Sequence, residues 1–201
     1  TDANGNTATK TFKSIRVFNN PVAAFVSDTV ACVNEQVTFK DMSTKADTII
    51  TDWQWDFGDG NLGSSNQPKH AYANSNTYTI GLTITDGFGC KRIKKKKRHV
   101  RIKTTPVPSY TINKDYECNP PLSFTTNNTS INATNSYWEC SDGTTSSYKN
   151  FSHTINNYGT YTVTLNAING TCTAKLSSKV VIEKLKPNFN IPSQACENEI
   201  I

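Results

Sequence analysis

Trp55-Asp56-Phe57-Gly58-Asp59-Gly60 reads as a strand that runs into a tight turn, and the phrase returns in altered form at Trp138-Glu139-Cys140-Ser141-Asp142-Gly143. The register between the copies does not slip. Trp55 to His70 and Trp138 to His153 are both 15 residues apart, and His70 to Tyr78 and His153 to Tyr161 are both 8 apart. Self-similarity at a fixed period is the mark of tandem modules. Pro21, Pro106 and Pro187 each precede a fresh strand pattern at intervals of 85 and 81 residues, the size of a small sandwich domain. The repeat predicts modules over 19–103 and 104–184. Residues 1–18 would then be the closing strand of a preceding module, and 185–201 the opening of a further one. This organisation implies a segment of a longer array.

Strand patterns fill each module. Val22 to Phe25 predicts an edge strand entered through Pro21, and Gln36-Val37-Thr38-Phe39-Lys40 alternates apolar with polar as a half-buried strand does. Over Ile49 to Phe57, a period of two puts Trp53, Trp55 and Phe57 on one face, which should be inside. Tyr78 to Thr85 brings Tyr78, Ile80, Leu82 and Ile84 together, and a last strand runs from about Arg92 to Ile102. The second module repeats the plan at Leu122 to Phe124, Tyr137 to Cys140, Tyr161 to Ile168 and Lys179 to Ile182. No segment carries a helical stripe. Cys140 should pack as a small buried thiol where the first copy has Phe57, with an unidentified neighbour refilling the space.

These pieces resemble the polycystic kidney disease (PKD) domain, whose signature is a WDFGDG core followed by His-x-Tyr and a GxYxVxL strand. Here they are Trp55 to Gly60, His70-Ala71-Tyr72 and Tyr78-Thr79-Ile80-Gly81-Leu82. The second copy keeps His153 and Gly159 to Leu165 but has Cys140, Ser141 and Ile155 where the first has Phe57, Gly58 and Tyr72. The resemblance implies an all-β chain of tandem immunoglobulin-like (PKD-type) β-sandwiches. It also implies a non-catalytic extracellular segment that acts as stalk, spacer or adhesive array. Cysteine-bearing, Asn- and Thr-rich strands are most similar to repeats of very large bacterial surface proteins, gliding and attachment adhesins among them. The alternative is an accessory carbohydrate- or polyanion-binding module of a secreted enzyme, with Tyr110, Tyr116 and Tyr148 as exposed aromatics for stacking on sugars.

Six cysteines are present. One scheme pairs them within modules, Cys32 with Cys90 and Cys118 with Cys172. The other pairs across modules, Cys90 with Cys118 and Cys172 with Cys196. Asn6 occupies the Cys90 position in the preceding module, which would leave Cys32 without a partner in the second scheme and favours the first. The loops that carry the paired residues nevertheless lie at opposite ends of a simple sandwich, and a disulfide needs α-carbons within about 7 Å. Structural disulfides imply an oxidising, extracytoplasmic setting.

Charge is concentrated in one place. Lys91, Arg92, Lys94, Lys95, Lys96, Lys97, Arg98, Arg101 and Lys103 give nine basic residues in thirteen positions, out of 21 in a chain of net charge +5. Such a strand suits surface polysaccharide or another acidic glycan. The reading the sequence favours over binding is a solvated edge whose lysines block edge-to-edge pairing. No aromatic residue interleaves it, which argues against nucleic acid. His70 and His153 each stand alone in their modules by sequence, with no nucleophile at an interpretable spacing, so packing beside the Trp strand is expected rather than catalysis or metal binding. Asp56 and Asp59 are expected to bond turn backbone, the local carboxylates being too few for a calcium loop. No catalytic residue, metal or cofactor is expected. Asn127, Asn128, Asn132, Asn150 and Asn169 open Asn-x-Ser/Thr sequons on expected loops or strand edges. No apolar run approaches the roughly 20 residues that span a bilayer.

Overall fold

The computed structural model describes residues 3–4, 16–114 and 119–184. No helix occurs among them. The chain divides into two compact units, Thr1–Ile102 and Lys103–Ile201. Most of the partial modules expected over 1–18 and 185–201 lies outside the described residues.

The first unit contains β1 (Phe25–Ser27), β2 (Val30–Cys32), β3 (Gln36–Asp41), β4 (Ile50–Asp56), β5 (Leu62–Gly63), β6 (Lys69–Ala71), β7 (Thr77–Asp86) and β8 (Lys91–Lys103). They form a three-stranded sheet, β1-β3-β6, and a five-stranded sheet, β2-β8-β7-β4-β5. Period-two alternation turns Val37 and Phe39 of β3 toward Trp55 of β4 and Ile80, Leu82 and Ile84 of β7, all fully buried. Phe25 meets Trp55 edge-on at 5.3 Å. Burying each such side chain contributes about 1.5–3 kcal/mol, so this interface between the sheets dominates the unit's stability.

The expected strands are present with three adjustments. The first begins at Phe25, and Val22 makes only an isolated bridge to Thr44. Trp53 does not join the fully buried rings: it is half-buried at the core's margin, and its indole Nε1 donates to Asp41 Oδ2 at 2.6 Å. Placing the indole at the rim satisfies its N–H, which deep burial would have to satisfy another way. β7 and β8 also slip register between Tyr78 and Ile80, where Arg98 takes φ 50° and its amide donates to Thr79 Oγ1. This is a bulge, and it bends β8.

The second unit contains β9 (Tyr110–Lys114), β10 (Leu122–Asn128), β11 (Asn135–Cys140), β12 (Thr145–Ser146), β13 (Ser152–Ile155), β14 (Gly159–Asn169) and β15 (Cys172–Ile182). Its sheets run β13-β10-β9 and β12-β11-β14-β15. They enclose Leu122, Phe124, Trp138, Phe151, Ile155, Val163, Leu165, Val180 and Ile182. β15 starts seven residues before the expected Lys179. Its early half alternates Cys172, Ala174 and Leu176 with polar residues, although Leu176 is exposed, and its backbone pairs with β14 from Asn169↔Cys172 onward.

Phe151 refills the space left by Cys140. It is buried, stacks on His153 at 5.5 Å and on Trp138 at 6.1 Å, and meets Phe124 edge-on. It stands two residues before His153, where the first unit has Pro68 two before His70. In the first unit the ring stacked on the histidine is Phe57, 4.3 Å from His70. The aromatic partner is retained and supplied from the other sheet's approach.

Candidate functional site

The turn after the Trp strand is assembled from short-range bonds. Asp56 Oδ1 accepts the Gly58 amide and Asp59 Oδ1 accepts the Asn61 amide, as turn carboxylates do. Gly60 and Gly143 both take φ 94°, a backbone that favours glycine. The other oxygen of Asp59, which also accepts Asn61 Nδ2 at 3.1 Å, meets His70 on β6: Oδ2 and Nε2 are 2.7 Å apart, and both side chains are largely shielded. Asp142 Oδ2 and His153 Nε2 repeat the pair at 2.6 Å. Each pair bolts the turn of one sheet to a strand of the other within its own unit. Partial burial alone would raise the Asp59 carboxyl, but hydrogen bonds from His70 and Asn61 outweigh it and hold the group below its ordinary value. Asp142 is held low in the same way by the Thr144 amide, the His153 ring and the Cys140 thiol.

Neither histidine is therefore alone, contrary to the sequence reading, because the fold brings a carboxylate eleven residues upstream to each ring. In the second unit Cys140, Asp142 and His153 offer a thiol, a carboxylate oxygen and an imidazole nitrogen, all within 4.8 Å of one another. Burial pushes the Cys140 thiol above its ordinary value.

Trp55 and Trp138 are fully buried, while Phe57 and Cys140 are almost so. Both indoles donate to a loop carbonyl, Trp55 to Ser65 O at 2.7 Å and Trp138 to Lys149 O at 3.3 Å.

The basic residues line one side of the first unit. β2 is only three residues long, and at that end of β8 the Arg101 amide donates to Thr29 O. The rest of β8 forms the margin of the five-stranded sheet. Lys91, Arg92, Lys94, Lys95, Lys97, Arg98 and Arg101 are exposed. Lys95 shares a row with Gly81 and Asp56, and Lys91 a row with Thr85 and Asp52, so the sheet's outer face runs from acidic on β4 to basic on β8. Arg92 and Lys94 share the inward side with Ile84 and Leu82 yet remain exposed, so the smaller sheet does not cover this margin. Lys96 behaves differently. Its amine donates to Phe25 O at 2.8 Å and lies 4.6 Å from the Phe25 ring centroid, closing the sandwich margin. His99 is half-buried and edge-on to Phe25. Burial, then the neighbouring Lys96 charge, lowers its pKa.

The Cys32–Cys90 pairing of the favoured disulfide scheme is corrected, as is the Cys90–Cys118 pairing of the other. Cys90 is a free thiol, so it does not pair with Cys32, and Cys32 is disulfide-bonded elsewhere. Cys90 directly precedes Lys91 at one end of β8, whereas Cys32 ends the strand beside Arg101, ten residues along. At about 3.3 Å per residue that separation is about 30 Å, several times what a disulfide spans. Cys172 is disulfide-bonded. Cys118 and Cys196 lie outside the described residues.

The aromatic candidates divide. Tyr110 is half-buried, donates its hydroxyl to Val163 O at 2.8 Å and meets Trp138 edge-on, so it belongs to the core margin and not to a sugar platform. Tyr148 is 80% exposed, as a stacking residue would need to be. Tyr116 lies outside the described residues. Among the sequons, Asn127, Asn132 and Asn150 are exposed. Asn169 is half-buried, with its amide committed to Thr104.

Comparison with known proteins places these features. The sequence profile of the PKD domain matches residues 18–102 and again 103–183. The chain is 33% identical over 93 residues to Collagenase ColA of Clostridium perfringens, across 46% of this chain and 8% of that protein. It is 33% identical over 95 residues to Collagenase ColA of Bacillus cereus, across 47% and 9%. It therefore spans less than a tenth of the length of these relatives. Among solved structures, the PKD1 domain of Vibrio anguillarum Epp is 28% identical with a TM-score of 0.38, covering 43% of this chain and 99% of that one. The PKD1 domain of the Vibrio cholerae metalloprotease PrtV is 26% identical with a TM-score of 0.37, covering 41% and 99%.

Proposed function

Because the chain belongs to the PKD domain family, with matches over most of its length, we propose that it is a non-catalytic extracellular spacer segment whose first domain holds acidic polysaccharide on β8. The observation that carries this reading is the uncovered basic margin from Lys91 to Arg101, where seven cationic side chains project into solvent and only Lys96 is engaged inward. A polyanion laid along β8 would meet several of these charges at once. Each contact is weak in water and the sum is strongly dependent on salt. The disulfide bonds at Cys32 and Cys172 fit an oxidising compartment.

A second reading, an accessory module of a secreted enzyme, draws support from the collagenase relatives. The two share a surface and differ in what the parent chain carries.

The test is retention on immobilised acidic polysaccharides at low salt and at about 0.5 M salt. Retention lost at high salt and lost after Lys94, Lys95 and Lys97 are changed to Gln supports the proposal. Equal behaviour of the variant, or no retention at low salt, overturns it. Attachment of the parent protein to cells that lack secreted protease activity would separate spacer from enzyme accessory.

A further inference from the structure

We propose that the second domain carries a zinc site formed by Cys140, Asp142 and His153, absent from the first domain. The donor set suits the ion: zinc is borderline-soft and takes thiolate sulfur, imidazole nitrogen and carboxylate oxygen, with three protein ligands and one solvent position a familiar arrangement. The placement suits it as well. Cys140 ends β11, Asp142 sits in the following turn, and His153 comes from β13 on the opposite sheet, so the three donors converge from two layers of one sandwich.

All three donor atoms lie within 4.8 Å of one another. Tetrahedral zinc with bonds of about 2.0–2.3 Å needs donors about 3.4–3.7 Å apart. The sulfur must therefore close by roughly an ångström or less, and the carboxylate and imidazole, now 2.6 Å apart, must open by about 0.8 Å. Both are side-chain adjustments. On binding, the thiol proton and the proton held between Asp142 Oδ2 and His153 Nε2 both leave to solvent as the sulfur–zinc and nitrogen–zinc bonds form, a neutral imidazole taking a proton back at Nδ1, and one metal bond to each of Asp142 and His153 replaces their hydrogen bond.

The surroundings hold the donors in place. Phe151 stacks on the His153 ring and Phe124 meets it edge-on, which limits its rotation. Asp142 Oδ1 accepts the Thr144 amide, leaving Oδ2 for the ion. Cys140 is buried, while Asp142 and His153 remain partly open, so solvent can supply the fourth ligand. The first domain provides the contrast within the same chain. It keeps the carboxylate and imidazole as Asp59 and His70, but Phe57 stacks on the histidine where a sulfur would be needed.

The experiment is cobalt(II) titration of the whole chain, with zinc(II) competition, read by thiolate-to-cobalt charge-transfer absorption. One equivalent of cobalt should give the band and zinc should abolish it. Cys90→Ser, which removes the other free thiol among the described residues, should leave it unchanged. Cys140→Ser should remove the band and weaken zinc binding more than about tenfold. To guard against misfolding of that variant, alkylation of Cys140 in the unaltered chain is followed by mass spectrometry, and zinc should protect Cys140 but not Cys90. No charge-transfer band, a band that survives Cys140→Ser, or equal alkylation of Cys140 with and without zinc overturns the site.

Discussion

Asp59 Oδ2 and His70 Nε2 lie 2.7 Å apart across the two sheets of the first domain, and the second domain reproduces this bond although the two residues before its aspartate have changed from Phe57-Gly58 to Cys140-Ser141. A charge-assisted hydrogen bond shielded from water contributes about 1–3 kcal/mol. The pair retains some solvent contact, which favours the lower end. Asp59→Asn should destabilise the first domain by about 1 kcal/mol and leave the second unchanged. The acid limb follows from the depressed carboxyl. The contribution is fully present above the unfolded value of 3.8 and is lost as pH falls below 3.8 through the lower folded value. Urea unfolding of the parent at neutral pH and near pH 3 should show the first domain losing stability, with a shallower loss in Asp59→Asn. Equal acid sensitivity would remove the pair from the explanation.

Phe151 compensates for the smaller Cys140, and its own loss should be severe. It contacts Trp138, Phe124 and His153 at once, and truncating a buried phenylalanine typically costs about 3–5 kcal/mol. Phe151→Ala should lower the thermal midpoint of the second domain by many degrees. Pro68→Ala, at the matching position of the first domain, should shift its midpoint far less. Similar shifts in the two variants would show that Phe151 does not carry this role.

Gly58 and Gly60 differ in why they are glycine. At Gly58 φ is 81° and an added Cβ would lie 2.5 Å from Thr79 O; at Gly60 φ is 94° and nothing lies within 4 Å. Gly60→Ala should cost about 1 kcal/mol of backbone strain, and Gly58→Ala clearly more because a backbone carbonyl must also move. The second copy solves the same contact differently. Ser141 donates its amide to Thr162 O and accepts the Thr162 amide on Oγ. Denaturation midpoints of the two alanine variants check the ranking, and a smaller effect at Gly58 would reverse the assignment.

The core was legible because burial imposes a period: Val37 with Phe39, and Ile80 with Leu82 and Ile84, announce an inward face without any partner being known. The bolts between sheets were not, because Asp59 reads as a turn residue and His70 as a packing residue until the fold joins them. A signal was available. The Asp–His spacing of eleven residues recurs in both copies while Phe57 and Gly58 change. Cys140 looked like a lost core residue for the same reason, since its neighbours Asp142 and His153 belong to different sheets. The free thiol of Cys90 required strand lengths and register, which composition does not contain. The bulge at Arg98 has no sequence mark at all, as arginine is an unusual residue for a positive φ.

The basic strand separates two physical roles that can be measured apart. Lys94, Lys95 and Lys97 are exposed, so replacing all three with Gln should change the domain's stability by less than about 0.5 kcal/mol while reducing retention on acidic polysaccharide. Lys96 should show the opposite behaviour. Its amine bonds Phe25 O and covers the Phe25 ring, so Lys96→Gln should destabilise the first domain by about 1 kcal/mol and alter retention little. A third substitution isolates protection of the sheet margin. Changing Lys94, Lys95 and Lys97 to Thr keeps strand propensity but removes charge from a margin that β2 covers over only three residues. Light scattering at raised concentration should then detect association that the parent does not show. If the Thr variant stays monomeric and the Gln variant keeps full retention, the lysines serve neither ligand binding nor protection of the edge.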